Sequence, residues 1–114
     1  MHELSLLVSV VNSVTQVARS RGATRIERVG LRVGARSGAV REALEGSWPL
    51  ATPGTMCEQA ILEIEEIPAR VWCSTCEIDQ VIDEFFALKC PTCGDPAGKI
   101  TSGTEFDVAF ADME

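Results

Sequence analysis

Cys73-Ser74-Thr75-Cys76, followed after 13 residues by Cys90-Pro91-Thr92-Cys93-Gly94, decides how this 114-residue chain is read. Two Cys-x-x-Cys pairs at that separation can fold back so that four thiolates meet at one tetrahedral ion. Zinc suits such a site, because it has no d-electron geometric preference and takes four sulfurs in closed structural centres. The spacer is slightly shorter than the usual zinc-ribbon range, and a tight hairpin can span it. In the second pair Pro91 fixes φ just after Cys90, and Gly94 tolerates a positive φ. A turn of that kind aims backbone N–H groups at the sulfurs and tunes them. The first pair has neither Pro nor Gly, so its turn is less strongly specified. Disulfides, a single iron and thiol exchange are the rivals. Disulfides need an oxidising compartment, which nothing here implies, and no second redox motif accompanies an iron. The reading is structural zinc on Cys73, Cys76, Cys90 and Cys93.

Outward from the cysteines, Trp72 to Ser102 holds few large apolar residues and could hardly form a core without its metal. The core must come from elsewhere. Leu4, Leu7, Val8, Val11, Val14, Val17 and Ala18 recur at helical spacing as far as Arg21, and Gly22 is a stop. Ile26, then Val29, Leu31 and Val33 mark a half-buried strand within Ala23 to Gly34. Ile26 is out of phase with the other three, which a bulge would explain. Ser37 is a candidate cap for a second helix carrying Val40, Ala43 and Leu44, which Pro49 should end or kink near Trp48. Ala51 to Thr55 is a turn. Ala60, Leu62 and Ile64 alternate with Glu63 and Glu65 in a second strand closed by Pro68. Phe106, Val108 and Phe110 alternate in a last strand. The expected fold class is α+β: a small mixed three-stranded sheet with two helices, plus an inserted Cys₄ zinc-ribbon-like module. Residues 1–69 with 104–114 are expected to form the α+β domain, and residues 70–103 the zinc-binding domain.

Met1-His2-Glu3 raises a second metal question, since His2 is the sole histidine. Methionine removal generally needs a small second residue, so Met1 is expected to stay with its α-amine free. That amine, the His2 amide nitrogen and the His2 imidazole can close two small chelate rings around one ion. Amide nitrogens yield their proton chiefly to ions with a planar preference, Ni(II) and Cu(II). The plainer reading is a helix start, with Glu3 near the positive end of the dipole. Cys57, between Met56 and Glu58, reads as a small buried hydrophobe rather than a fifth ligand or a reactive thiol.

The net charge of −7 hides an asymmetry. Residues 1–41 carry seven arginines against two glutamates, a balance of +5, and residues 42–114 carry three basic and fifteen acidic groups, a balance of −12. Arginine clusters can mark nucleic-acid binding. Here no aromatic residues interleave them, tyrosine is absent, and an acidic ribbon would repel phosphate. Internal pairing is the reading: Arg28 and Arg32 against Glu63, Glu65, Glu105 and Asp107 on neighbouring strands. Leu4 to Val11 is apolar like a signal peptide, but Glu3 and the absence of Lys or Arg before it, with the helical spacing beyond, favour a folded helix. No stretch is long enough to cross a membrane. The expected setting is cytoplasmic.

Met1-His2-Glu3-Leu4-Ser5 at the start, the Cys₄ motif with Cys90-Pro91-Thr92-Cys93-Gly94, and Ser102-Gly103-Thr104-Glu105-Phe106 after it resemble the HypA/HybF family of hydrogenase-maturation nickel chaperones. The resemblance spans nearly the whole chain, including Glu63-Ile64-Glu65 before Pro68. It implies a non-enzymatic protein that hands Ni(II) to [NiFe] hydrogenase with the GTPase HypB, and in some bacteria serves urease. It implies nickel on Met1, His2 and Glu3, and zinc on Cys73, Cys76, Cys90 and Cys93. Pro49 and Cys57 depart from the family pattern. An acidic zinc-ribbon interaction module without nickel function and a rubredoxin-like iron protein are the alternatives.

Overall fold

The apolar run at the amino end forms a helix of 19 residues whose buried face is Leu7, Val10, Val11, Val14 and Ala18. Val10, rather than Val8 or Val17, completes that face: the latter two are exposed. In the computed structural model, which describes residues 2–83 and 88–114, the elements run α1 (His2–Ser20), β1 (Ile26–Gly34), α2 (Arg41–Ala51), β2 (Ile61–Ile67), β3 (Arg70–Cys73), β4 (Ile78–Val81), β5 (Lys99–Ser102) and β6 (Phe106–Met113). Gly22 ends α1 as expected, at φ +71.

Strand β1 is central in the first sheet. It pairs parallel with β2 and antiparallel with β6, giving the order β2-β1-β6 and the mixed three-stranded sheet that the alternation predicts. Its pairing with β6 shifts between Ile26 and Arg28, which is why Ile26 is buried although out of phase. A second shift falls between Gly30 and Leu31, and it corrects the reading of the last strand. Phe106 still packs on the core, but the extra residue changes the phase, so that Ala111 and Met113 continue the packing. Phe110 stays partly exposed, its ring filling the space that a Cβ on Gly30 would need.

Helix α2 corrects two further expectations. Ser37 does not cap it: the Ser37 hydroxyl accepts the Ala39 N–H at 3.2 Å, a local turn, and Val40 is the N-cap without a side-chain bond. Of the two effects expected of Pro49, an end or a kink, the end does not occur at the proline, since the helix runs through it to Ala51. The proline removes one N–H donor, and neighbouring contacts hold the last turn. Buried Trp48 donates its indole N–H to the Ala60 carbonyl at 2.9 Å, and the Thr52 hydroxyl donates to the Trp48 carbonyl at 3.1 Å.

Between β2 and β6 the chain makes a separate antiparallel sheet, β4-β3-β5. Among the described residues its apolar cluster is Ala69, Val71, Ile82 and Ala97, with Leu88 and Ile100 against them. The main core holds Leu7, Ile26, Val29, Leu31, Leu44 and Trp48 among others. The segment that returns from the ribbon to β6 crosses the end of β1 closely, at Gly103 and Gly34. A Cβ on Gly34 would lie 2.2 Å from the Gly103 backbone, and one on Gly103 would lie 2.6 Å from Ala69 Cα. Backbone bonds tie the crossing, Arg36 N–H to Gly103 O and Gly34 N–H to Glu105 O, each 2.7 Å.

Candidate metal centres

The end of β3 carries Cys73, and the turn into β4 carries Cys76. The turn before β5 carries Cys90 and Cys93. The four Sγ atoms lie within 4.8 Å of one another. Cys73 and Cys93 approach to 3.6 Å, and Cys90 and Cys76 to 3.9 Å. A tetrahedral ion with Zn–S bonds of about 2.3 Å separates its sulfurs by about 3.8 Å. Sulfurs in a disulfide are only about 2.05 Å apart. The cluster therefore fits a structural zinc site, and all four cysteines are free thiols. Cys73 and Cys90 are buried while Cys93 faces solvent, so the centre sits at one surface of the small sheet.

The two turns share a backbone path. Gly94 donates its N–H to the Cys90 carbonyl at 2.9 Å, and Glu77 donates to the Cys73 carbonyl at 2.7 Å. Gly94 has φ +78, as its position predicts, and Glu77 has φ +56. Sequence reasoning gave the first turn no such residue, yet Glu77 takes the left-handed conformation without being glycine. Its place directly after the second cysteine of its pair, like that of Gly94, is the signal that was available. Holding a non-glycine residue there costs energy, which is tolerated because the turn is fixed at both cysteines.

Donors to sulfur differ between the turns. The Cys76 N–H points at Cys73 Sγ, 3.3 Å away. In the second turn the amides of Cys93 and Thr92 point at Cys90 Sγ and, with bonds from neighbouring thiols, bring that thiol down to about 6 against the opposing effect of burial. Asp95 supplies an amide to Cys93. Cys76 is instead pushed up to about 12, chiefly by its hydrogen bond with Cys93. A divalent ion held here would replace the thiol protons and draw all four sulfurs as thiolates. Side chains that the spacing did not reveal complete the surroundings. Thr75 Oγ1 donates to Asp95 at 2.7 Å across the two turns, and Gln80 reaches both Cys90 and Thr92.

At the other end of the chain, His2 opens α1 and Glu3 lies in its first turn. The imidazole is exposed, and its Nδ1 stands 3.9 Å from Glu3 Oε2, whose side chain is only 17 % exposed. The Ser5 hydroxyl donates to the His2 carbonyl at 2.9 Å. Met1 lies outside the described residues. The first N–H groups of a helix have no intrahelical acceptor, so the amides of His2 and Glu3 are not committed to the helix ladder. Cys57 is fully buried in the main core, where burial pushes its thiol up to about 11, as the reading of a small hydrophobe requires. Arg28 stands 3.1 Å from Glu63 and 3.9 Å from Asp112, and Arg32 stands 3.8 Å from Asp107. Asp112 was not among the expected partners. Glu65 faces Arg32 only in backbone register.

Fold and thiol cluster together define a small α+β protein with a four-cysteine metal ribbon inserted before its last strand, and no described helix is long and apolar enough to cross a membrane. A family model described as "Hydrogenase/urease nickel incorporation, metallochaperone, hypA" matches residues 1–113. The chain belongs to the HypA family. It is 39% identical to a hydrogenase maturation factor HypA of Roseiflexus sp. over 114 residues, covering all of this chain and 93% of that one. It is also 39% identical to one from Moorella thermoacetica, covering all of both chains. Among solved structures it resembles the solution structure of a HypA protein, with a TM-score of 0.72, 24% identity, and coverage of 100% and 97% of the two chains. The solution structure of the Ni metallochaperone HypA from Helicobacter pylori matches with a TM-score of 0.59 and 24% identity, covering 93% of this chain and 95% of that one.

Proposed function

We propose that this protein binds Ni(II) at its amino end and delivers it for maturation of [NiFe] hydrogenase, with structural zinc held by Cys73, Cys76, Cys90 and Cys93. In this reading residues 1–69 with 104–114 are the nickel-binding domain, and residues 70–103 the zinc-binding domain. The observation that carries it is that the sole imidazole, His2, lies exposed at a helix start in a chain matched by the family model from residue 1 to residue 113. The ligands are the Met1 amine, the His2 amide and imidazole, and a contribution from Glu3.

A carrier must hold its ion selectively and still release it. Zinc behind four sulfurs is closed off from exchange. Nickel at a chain end is different, because the terminal turn of a helix frays at little cost and ligands leave one at a time. Binding displaces protons from the amine and the amide and requires a neutral imidazole, so nickel affinity falls with acid. The protein acts by transfer, without catalysing a reaction. Its partners are a HypB-type GTPase, the hydrogenase large-subunit precursor and, where present, urease maturation proteins, and its setting is the cytoplasm.

Nickel titration tests this, with zinc content measured alongside. The intact protein should bind nickel at the amino end. His2→Ala should lose specific nickel binding while keeping zinc and the fold, and one residue added before Met1 should weaken nickel by displacing the amine from its chelate ring. In Glu3→Gln the backbone nitrogen remains, so lost binding marks a carboxylate ligand, whereas retained binding with lost delivery marks a transfer role. Unchanged nickel affinity in His2→Ala would overturn the port, and an intact protein that takes up zinc but no nickel would leave an acidic zinc-ribbon interaction module.

A further inference from the structure

Gln80 stands on β4, in the hairpin that follows the first cysteine pair, yet its side chain engages the second pair. Its Oε1 accepts the Cys90 thiol at 3.6 Å and the Thr92 hydroxyl at 3.1 Å, and its Nε2 donates to Thr92 Oγ1 at 2.7 Å. One end of the carboxamide thus faces a sulfur, and both ends reach the same hydroxyl.

Turning a carboxamide by half a revolution exchanges its oxygen and nitrogen with almost no change of shape. A metal-bound Cys90 thiolate has no proton to give, and a carbonyl oxygen facing it would set two electron-rich atoms against each other. The turned carboxamide removes that conflict. Its N–H faces the sulfur from the 3.6 Å position, and its oxygen accepts the Thr92 hydroxyl from the 2.7 Å position. Donor and acceptor are then matched at all three groups.

We propose that Gln80 is a positioning residue for the four-sulfur centre, donating its side-chain N–H to the Cys90 thiolate while the Thr92 hydroxyl holds the carboxamide in place. This rests on the zinc reading of the cluster. Four thiolates around one divalent ion carry excess negative charge, and N–H donors disperse it. The donors from backbone to Cys90 come from its own turn, at Thr92 and Cys93. Gln80 adds a donor from the opposite hairpin, so it links the two halves of the site as well as stabilising one sulfur. Partners of this kind, just outside the ligands, typically change metal affinity by about 10- to 100-fold.

The test compares the full-length protein with Gln80→Leu, which keeps the size and removes the donor, Gln80→Glu, which sets a carboxylate against the thiolate, and Thr92→Val, which frees the carboxamide. Zinc affinity is read by competition with a chromophoric chelator, and the sulfur-to-metal charge-transfer band is read after cobalt(II) replaces zinc. Gln80→Leu should lose about tenfold in zinc affinity and shift the band to lower energy, because an unbonded thiolate gives up charge more readily. Gln80→Glu should lose more, and Thr92→Val less. Full zinc loading of the parent with unchanged affinity and band in Gln80→Leu would overturn the role of Gln80 alone. A loss of affinity with an unmoved band would also overturn it, since that marks packing rather than donation to sulfur. A parent that takes up no zinc would instead remove the zinc reading itself.

Discussion

One carboxylate adds to the backbone bonds that tie the crossing between the two sheets. Glu105 Oε1 accepts the Gly103 N–H at 2.7 Å, at the point where the chain leaves the ribbon and enters β6. Its own backbone N–H and that of Gly103 hold the carboxyl below the usual glutamate range, with Arg32 adding a smaller electrostatic contribution and burial opposing them. A depressed folded pKa means that the ionised form is bound more tightly in the native state. The stabilisation is full above the unfolded glutamate value of about 4.3 and disappears as pH falls through the lower folded value. Glu105→Gln should therefore be less stable than the parent at neutral pH, with the gap closing as acid is added below that range. Urea midpoints measured from pH 7 downwards on both proteins check this, and a gap independent of pH would contradict it. The charge pattern made Glu105 legible only as one of the acidic partners for Arg28 and Arg32. Its main partners are backbone amides, which no side-chain pattern discloses.

Among the elements, β1 carries the clearest legible signal and also the places where legibility fails. Val29, Leu31 and Val33 gave its inward face, and the offset of Ile26 gave the first irregularity of register. The second irregularity, between Gly30 and Leu31, has its effect on β6, and Phe106, Val108 and Phe110 alternate so cleanly that nothing in them signals it. Pro49 misled for a related reason: its local preference is to end a helix, but Trp48 and Thr52 anchor the turn through tertiary and side-chain bonds. The arginines on the opposite face of β1 were read correctly in kind, since they meet carboxylates on both neighbouring strands. These groups are about half exposed, so each pair contributes only about 0–1 kcal/mol. Arg28→Ala should shift the denaturation midpoint by no more than that, and added salt should shrink the difference. A loss of several kcal/mol in chemical denaturation would show that Arg28 holds β2 and β6 together rather than merely neutralising their charges.

Across the whole molecule the apolar residues are divided unequally. The first sheet and its helices bury Leu7, Ile26, Leu31 and Leu44 completely, while among the described residues the ribbon buries only Ala69, Val71, Ile82 and Ala97 in its apolar cluster. A small sheet with so little apolar area needs another source of stability, and metal-binding energy in such a module is folding energy. The cysteine spacing announced the four-sulfur cluster, and the dependence of residues 70–103 on its metal is the expectation that follows. Removing zinc with a chelator should raise amide hydrogen exchange throughout β3, β4 and β5 while β1, β2 and α1 stay protected. Cys90→Ala should reproduce that pattern without a chelator, because three sulfurs no longer close the tetrahedron. The boundary should be sharp at the Gly34–Gly103 crossing, where backbone contact rather than metal holds the chain. If exchange rises equally in α1 and β1, the two sheets fold as one cooperative unit and the zinc supports the entire protein. If the ribbon keeps its protection after zinc has left, its small core is sufficient and the metal has a role other than structure.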